Sequence, residues 1–135
     1  MVNNSTICAM ANAPGGAIAI IRVSGPMAIE CVSRIFVGKR KDSNLTLAAG
    51  YTVHYGTIVA KQDDTDENKL HVIDDVLITI FRAPHSYTGE DSVEISCHGS
   101  SYVIQKILSL LISEGCSMAE PGEYTKRAFL NGKLD

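Results

Sequence analysis

The sequence predicts one domain that mixes strands with helices. Three observations lead there: runs in which apolar and polar residues alternate, two stretches with apolar residues at helical spacing, and turn signals rich in glycine, proline or acid between them. At 135 residues, 45% hydrophobic and 20% charged, the chain is long enough to bury a real core and has a globular composition.

The elements follow in order. Ile7 to Ala11 reads as a short strand, Ala13-Pro14-Gly15-Gly16 as a turn, and Ala17 to Val23 as a nearly continuous apolar strand. Ser24 is placed as an N-cap with Pro26 in the first turn. Ala28, Cys31, Val32, Ile35 and Phe36 then share one face of a helix that Gly38 ends. Tyr51 to Lys61 alternates as a strand. Gln62 to Asn68, with Asp63, Asp64, Asp66 and Glu67, reads as a solvent-exposed hairpin, and Leu70 to Arg82 as the return strand, bulged near Asp74-Asp75. Ser92 to His98 is a strand with Val93, Ile95 and Cys97 facing the core and Ser92, Glu94, Ser96 and His98 on the other face. Ile104, Ile107, Leu108 and Leu111 give a helix with a buried stripe, stopped by Gly115. Pro121-Gly122-Glu123 is a turn, with a last short helix from about Thr125. Helical patterning still runs at Leu134-Asp135, so the chain is expected to be a fragment of a longer protein. No internal repeat or low-complexity segment interrupts it.

Composition excludes several classes. A net charge of −3 does not force nucleic acid as a direct partner, and Arg34, Lys39, Arg40 and Lys41 read as a solvated helix end and loop. Four cysteines (8, 31, 97 and 116) without a C-x-x-C pair argue against structural zinc and against a secreted disulfide framework. The longest apolar run is too short to span a bilayer and no signal-peptide pattern opens the chain, so a reduced cytoplasm is the expected location. G-x-x-x-x-G-K-[ST] and G-x-G-x-x-G are both absent, and no Ser/His/Asp or Cys/His arrangement can be assigned. What remains is a binding surface with no metal site and no catalytic residue.

Several side chains stand out on that surface. Arg22 ends an apolar strand on the face of Ile18 and Ile20 and needs an acid, either internal or on a ligand. Glu94 lies on a central-looking strand; it could accept two parallel hydrogen bonds from an amidine-like edge such as a pterin's, or simply face solvent. Lys133 near the end would ordinarily be solvated. Glu90-Asp91 fits a turn or strand cap better than a metal site, and His98 fits a hydrogen-bonded structural role better than a base.

Three blocks carry a more specific signal: Gly16-Ala17-Ile18-Ala19-Ile20-Ile21-Arg22-Val23-Ser24-Gly25, the Ser86 to Gly99 segment S-Y-T-G-E-D-S-V-E-I-S-C-H-G, and Pro121 to Asp135, P-G-E-Y-T-K-R-A-F-L-N-G-K-L-D. In order and spacing they resemble the N-terminal domain of the MnmE (TrmE) family of tRNA-modification GTPases, over almost the whole chain. The resemblance implies an α+β domain, a mixed sheet with packed helices, similar to the folate-binding domain of the glycine-cleavage T-protein. Residues 1–118 would be the folate-binding and dimerisation domain, and 119–135 its end, leading into a helical domain not contained here. It further implies a 5-formyltetrahydrofolate-type cofactor contacted by Arg22, Glu94 and Lys133, and a homodimer. Longer family members add a helical domain, a GTP-binding domain and a C-terminal cysteine motif that Cys97 and Cys116 do not match. With an FAD-dependent partner, MnmG, they place an aminomethyl-type group on the wobble uridine of certain tRNAs. GTP, magnesium and potassium are expected only in that GTPase domain, so this chain alone should bind folate and dimerise without hydrolysing GTP or modifying tRNA.

The chain departs from the family pattern in three places. Its first turn, Asn12 to Gly16, is shorter than usual, Ser100 replaces the second glycine of H-G-G, and the acidic hairpin Asp63 to Glu67 is longer. Two other readings compete: a stand-alone folate-dependent one-carbon transferase like the T-protein, and a purely structural dimerisation domain without folate affinity.

Overall fold

The strands pair into one sheet, and one face of it packs against two helices. The computed structural model describes residues 4–61 and 69–133. The acidic hairpin reading at Gln62 to Asn68 lies outside the described residues, as do Leu134 and Asp135.

Among the described residues the strands are β1 (Ile7–Met10), β2 (Ile18–Ser24), β3 (Phe36–Gly38), β4 (Thr52–Lys61), β5 (Leu70–Phe81), β6 (Ser92–His98) and β7 (Ser117–Met118). The helices are α1 (Ala28–Ser33), α2 (Ser101–Ser113) and α3 (Glu123–Leu130). The strands form one mixed sheet in the order β3-β4-β5-β6-β2-β1-β7. Every pairing is antiparallel except β1 with β7, which is parallel. The fold is therefore α+β.

One face of the sheet supplies the core. Ile21 and Val23 of β2, Val93 and Ile95 of β6, and Ile78 and Ile80 of β5 are all buried, and they share one cluster with Ile29 and Val32 of α1 and Ile104, Ile107 and Leu111 of α2. Each fully buried aliphatic side chain contributes about 1.5 to 3 kcal/mol. The opposite face stays open: Ile18, Val53, Tyr55 and Leu77 are roughly half exposed or more there. The bulge expected near Asp74 is present. Ile58 stands opposite Asp74 but Val59 opposite Val72, so Ile73 is the extra residue. It shifts the buried set of β5 from Val76, Ile78 and Ile80 to the odd-numbered Ile73.

Two local readings are corrected. Ser24 does not cap α1. It ends β2, fully buried, with its hydroxyl shared among Thr88, Glu90 and Ser92. The start of α1 is held instead by the Thr6 hydroxyl, which accepts from the Met27 N–H. The helix also stops at Ser33 and does not run on to Gly38, because Phe36–Gly38 pairs with β4 as the edge strand β3. Ile35 and Phe36 fit a helical stripe and a strand equally well, and the free edge of β4 decides in favour of the strand. The short β7 carried no periodic signal at all.

At α2 the substitution of serine for glycine has a visible use. Ser100 adopts extended backbone and its Oγ accepts from the Val103 N–H at 3.3 Å. Ser100→Ala should therefore lower stability by about 0.5 to 1 kcal/mol, read from the midpoint of urea unfolding. Gly99 beside it has a different reason to be glycine: a Cβ there would run into the Gly16 carbonyl of the first turn.

Candidate functional site

Alternation puts Arg22 on the open face of β2 and Glu94 on the open face of β6, and the strand register sets them directly opposite one another. Arg22 donates from Nη2 and Nε to Glu94 Oε2, at 2.9 and 3.2 Å. Both side chains keep about a quarter of their surface, 23% and 26%. Arg22 thus has an internal acid, and Glu94 is not a free carboxylate on a wet face. The two candidates meet each other.

Two tyrosines hold the pair. The Arg22 guanidinium carbon lies 5.1 Å from the centre of the Tyr87 ring and 5.6 Å from that of Tyr124. Tyr87 comes from the loop before β6 and Tyr124 from α3. Tyr124 donates its hydroxyl to the Arg22 carbonyl at 2.6 Å, and the Tyr87 hydroxyl is 3.0 Å from Thr125 Oγ1. Burial pushes the Tyr124 phenol above its ordinary pKa, with the Arg22 charge opposing.

Beneath this cover a hollow of about 90 Å³ is lined by Arg22, Phe81, Tyr87, Ser92 and Glu94. Next to it an open depression of about 290 Å³ is lined by Tyr51, Phe81, His85, Ser86, Tyr87 and Lys133. Phe81 and Tyr87 are walls of both. Arg22 and Glu94 therefore occupy one end of a continuous surface, and Lys133, itself exposed, stands at the other. A larger cavity of about 610 Å³ lies elsewhere, among Arg34, Lys61, Lys106 and Glu114, and none of the three candidates lines it.

A buried ionic network fastens the C-terminal segment to this site. Arg127, only 4% exposed, lies between Glu90 and Glu123, with Nη1 to Glu90 Oε2 at 3.1 Å and Nη2 to Glu123 Oε2 at 2.9 Å. The same guanidinium donates to the Ser5 carbonyl at 2.7 Å and the Ser5 hydroxyl at 3.1 Å. Asn131 donates to the Thr88 carbonyl at 2.8 Å. Gly89, at φ +82, lets that contact form: a Cβ there would sit 2.9 Å from Asn131 Cβ.

The remaining candidates have structural partners. Asp74 takes the His98 ring Nδ1 at 2.7 Å and its backbone N–H at 2.8 Å, at the far end of β6. Asp91 accepts from the Ala83 N–H at 2.8 Å, and among the described residues no group of three or more His, Cys, Asp or Glu is placed to hold a metal ion. Of the basic cluster, Arg34 pairs with Glu30 at 3.0 Å and Lys39 lies over the Tyr55 ring. All four cysteines are buried and free. Burial pushes the Cys31 thiol up to about 12 and Cys97 to about 11, which leaves both unreactive at neutral pH.

Sequence reasoning missed Tyr87, Tyr124 and Arg127. The first two stand inside the same motif blocks as the named candidates, and Arg127 sits four residues after Glu123, the spacing of an ion pair on one helix face.

The family model described as "GTP-binding protein TrmE N-terminus" matches residues 6–133. The chain belongs to this family. It is 56% identical over 134 residues to a protein of Bacteroides thetaiotaomicron named tRNA modification GTPase MnmE, covering 99% of this chain and 27% of that one. Proteins of the same name from Bacillus cytotoxicus and Porphyromonas gingivalis are 51% and 48% identical, covering 96% and 98% of this chain. The chain thus spans about a quarter of the length of these TrmE relatives, and corresponds to their N-terminal part. No helix among the described residues is long and apolar enough to cross a membrane.

Proposed function

We propose that this chain is the tetrahydrofolate-binding and homodimerising N-terminal domain of a GTPase that modifies the wobble uridine of tRNA, with folate supplying a one-carbon unit. One observation carries the folate part. An acid and a base are paired at one end of an aromatic-walled surface and a lysine stands at the other. That order matches a reduced folate, with a polar heterocycle, an aromatic middle and a carboxylate tail. It also divides the labour of the two cations: Arg22 suits a ring carbonyl, and Lys133 the tail. The hollow at Arg22 admits only the edge of a ring, so the rest of the ligand would lie over Phe81 and Tyr87. When bound, the folate would supply the one-carbon unit, and these residues would hold and orient it.

Dimerisation rests on the open sheet face. Ile18, Val53, Tyr55 and Leu77 leave an apolar surface beside the site, and a second copy of this chain is the occupant we assign to it. GTP, magnesium and potassium would act in the GTPase domain of the longer protein, and tRNA and the FAD-dependent partner MnmG would engage that whole protein in the cytoplasm. The names of the relatives and the family description support the GTP-binding and tRNA-modification parts of this setting.

Calorimetric titration of the chain with 5-formyltetrahydrofolate, with oligomeric state measured by light scattering, tests both parts. The expected result is a dimer with one saturable site per chain. A folded dimer with no affinity would favour a purely structural domain, and a folded monomer would overturn the assignment of the open face.

A further inference from the structure

We propose that Tyr51 is a ligand contact: its ring forms one wall of an aromatic corner that seats the flat middle of the bound molecule. The inference deepens the folate reading above and rests on it.

The backbone of Tyr51 leads there. Its φ is +61, and among the described residues every other positive φ belongs to a glycine. In that left-handed conformation the Cβ of a bulky side chain crowds the following carbonyl, so it persists only where the surroundings enforce it. The Tyr51 N–H donates to the Ile80 carbonyl at 2.7 Å, which fixes the turn just before β4. This turn does contain a glycine, Gly50, but one residue too early. It lies against Arg82, where a Cβ would come within 3.3 Å of the backbone nitrogen.

Burial does not offset the strain, because Tyr51 keeps 69% of its surface. What the strained position does is aim the ring. It stands edge-on to Phe81, with centroids 6.1 Å apart and planes at 88°, and lies 6.4 Å from the His85 ring at 42°. Tyr51 and Phe81 thus make a right-angled corner in the depression that also holds Lys133. A flat ring seated there stacks on one wall and meets the other edge-on, the two arrangements that aromatic pairs prefer. Phe81 also lines the hollow at Arg22 and Glu94. The corner therefore adjoins both the hollow assigned to the heterocycle and the lysine assigned to the tail. In a folate, the benzoyl ring joins those two parts.

The test is calorimetric titration of Tyr51→Gly, Tyr51→Asn and Tyr51→Phe with 5-formyltetrahydrofolate, each beside a thermal melt of the ligand-free variant. Glycine and asparagine accept the left-handed backbone and remove the ring. Both variants should bind about tenfold more weakly than the unmodified chain, yet melt at the same temperature or higher. Tyr51→Phe keeps the ring and should hold its affinity within about twofold. Unchanged affinity in the glycine and asparagine variants would overturn the proposal. A melting temperature that falls together with affinity would also overturn it, since the ring would then serve the fold. An equal loss in Tyr51→Phe would overturn stacking, because the hydroxyl would then be the contact. Failure of the unmodified chain to bind 5-formyltetrahydrofolate would overturn the folate reading, and this inference with it.

Discussion

Replacing Arg127 with leucine will cost the folded domain about 3 to 5 kcal/mol, which for a chain of this size lowers the melting temperature by about 10 °C or more. The reason is the state of what is left behind. Arg127 is buried between two carboxylates, Glu90 and Glu123, whose side chains keep only 17% and 12% of their surface. Leucine fills part of the volume but leaves two acids facing each other with no cation, and it also removes the guanidinium hydrogen bond to the Ser5 carbonyl. Two companion variants separate charge from packing. Arg127→Lys keeps the charge without the fork that reaches Ser5, Glu90 and Glu123 together, and should recover only part of the loss. Arg127→Leu combined with Glu90→Gln removes one orphaned charge and should be more stable than Arg127→Leu alone. Thermal unfolding followed by far-ultraviolet circular dichroism measures all three, and an unchanged melting temperature in Arg127→Leu would mean that the network contributes nothing net.

On the proposed folate reading, Glu94→Gln should weaken tetrahydrofolate binding by about 1 to 3 kcal/mol, five- to 150-fold, and leave the proposed dimer intact. The amide removes the charge that holds Arg22 across the strands and replaces one carboxylate oxygen with a donor. The ligand then loses either its acceptor or the fixed guanidinium beside it. Stability should change far less than affinity, since the pair keeps about a quarter of its surface in water and such pairs are worth little to folding. Titration calorimetry beside a melting curve separates the two effects. Unchanged affinity in a folded variant would remove Glu94 from the site.

The buried ionic network and the aromatic cover of the Arg22–Glu94 pair share one helix, α3. Arg127 fixes α3 on the loop that carries Glu90, and α3 in turn presents Tyr124 to Arg22 and leads on to Lys133. The Arg127 variant should therefore also blunt ligand binding, through loss of position and not of contact.

Much of the framework was legible before any coordinates. Alternation correctly placed the two faces of β6 and set Arg22 on the face of Ile18 and Ile20, the spans of β4 and β5 were found, the stripe of Ile104, Ile107, Leu108 and Leu111 gave α2, and the bulge fell beside two adjacent acids. The readings that failed were those with two local solutions. Ser24 suits an N-cap as well as a buried strand end, and Phe36 suits a helix stripe as well as an edge strand; neighbours distant in sequence made the choice.

By itself, the sequence determined which residues of β6 and α2 face in and which face out, and its motif blocks singled out Arg22, Glu94 and Lys133. Period and motif are local properties, written within a few residues of each side chain. Only the tertiary structure decided that Arg22 and Glu94, 72 residues apart, stand opposite and bond through one oxygen, that Tyr87 and Tyr124 close over them, and that Arg127 lies buried between two acids. Those facts depend on strand register and on where a helix docks. Both are set by the sum of long-range packing contacts, and no short stretch of chain encodes that sum.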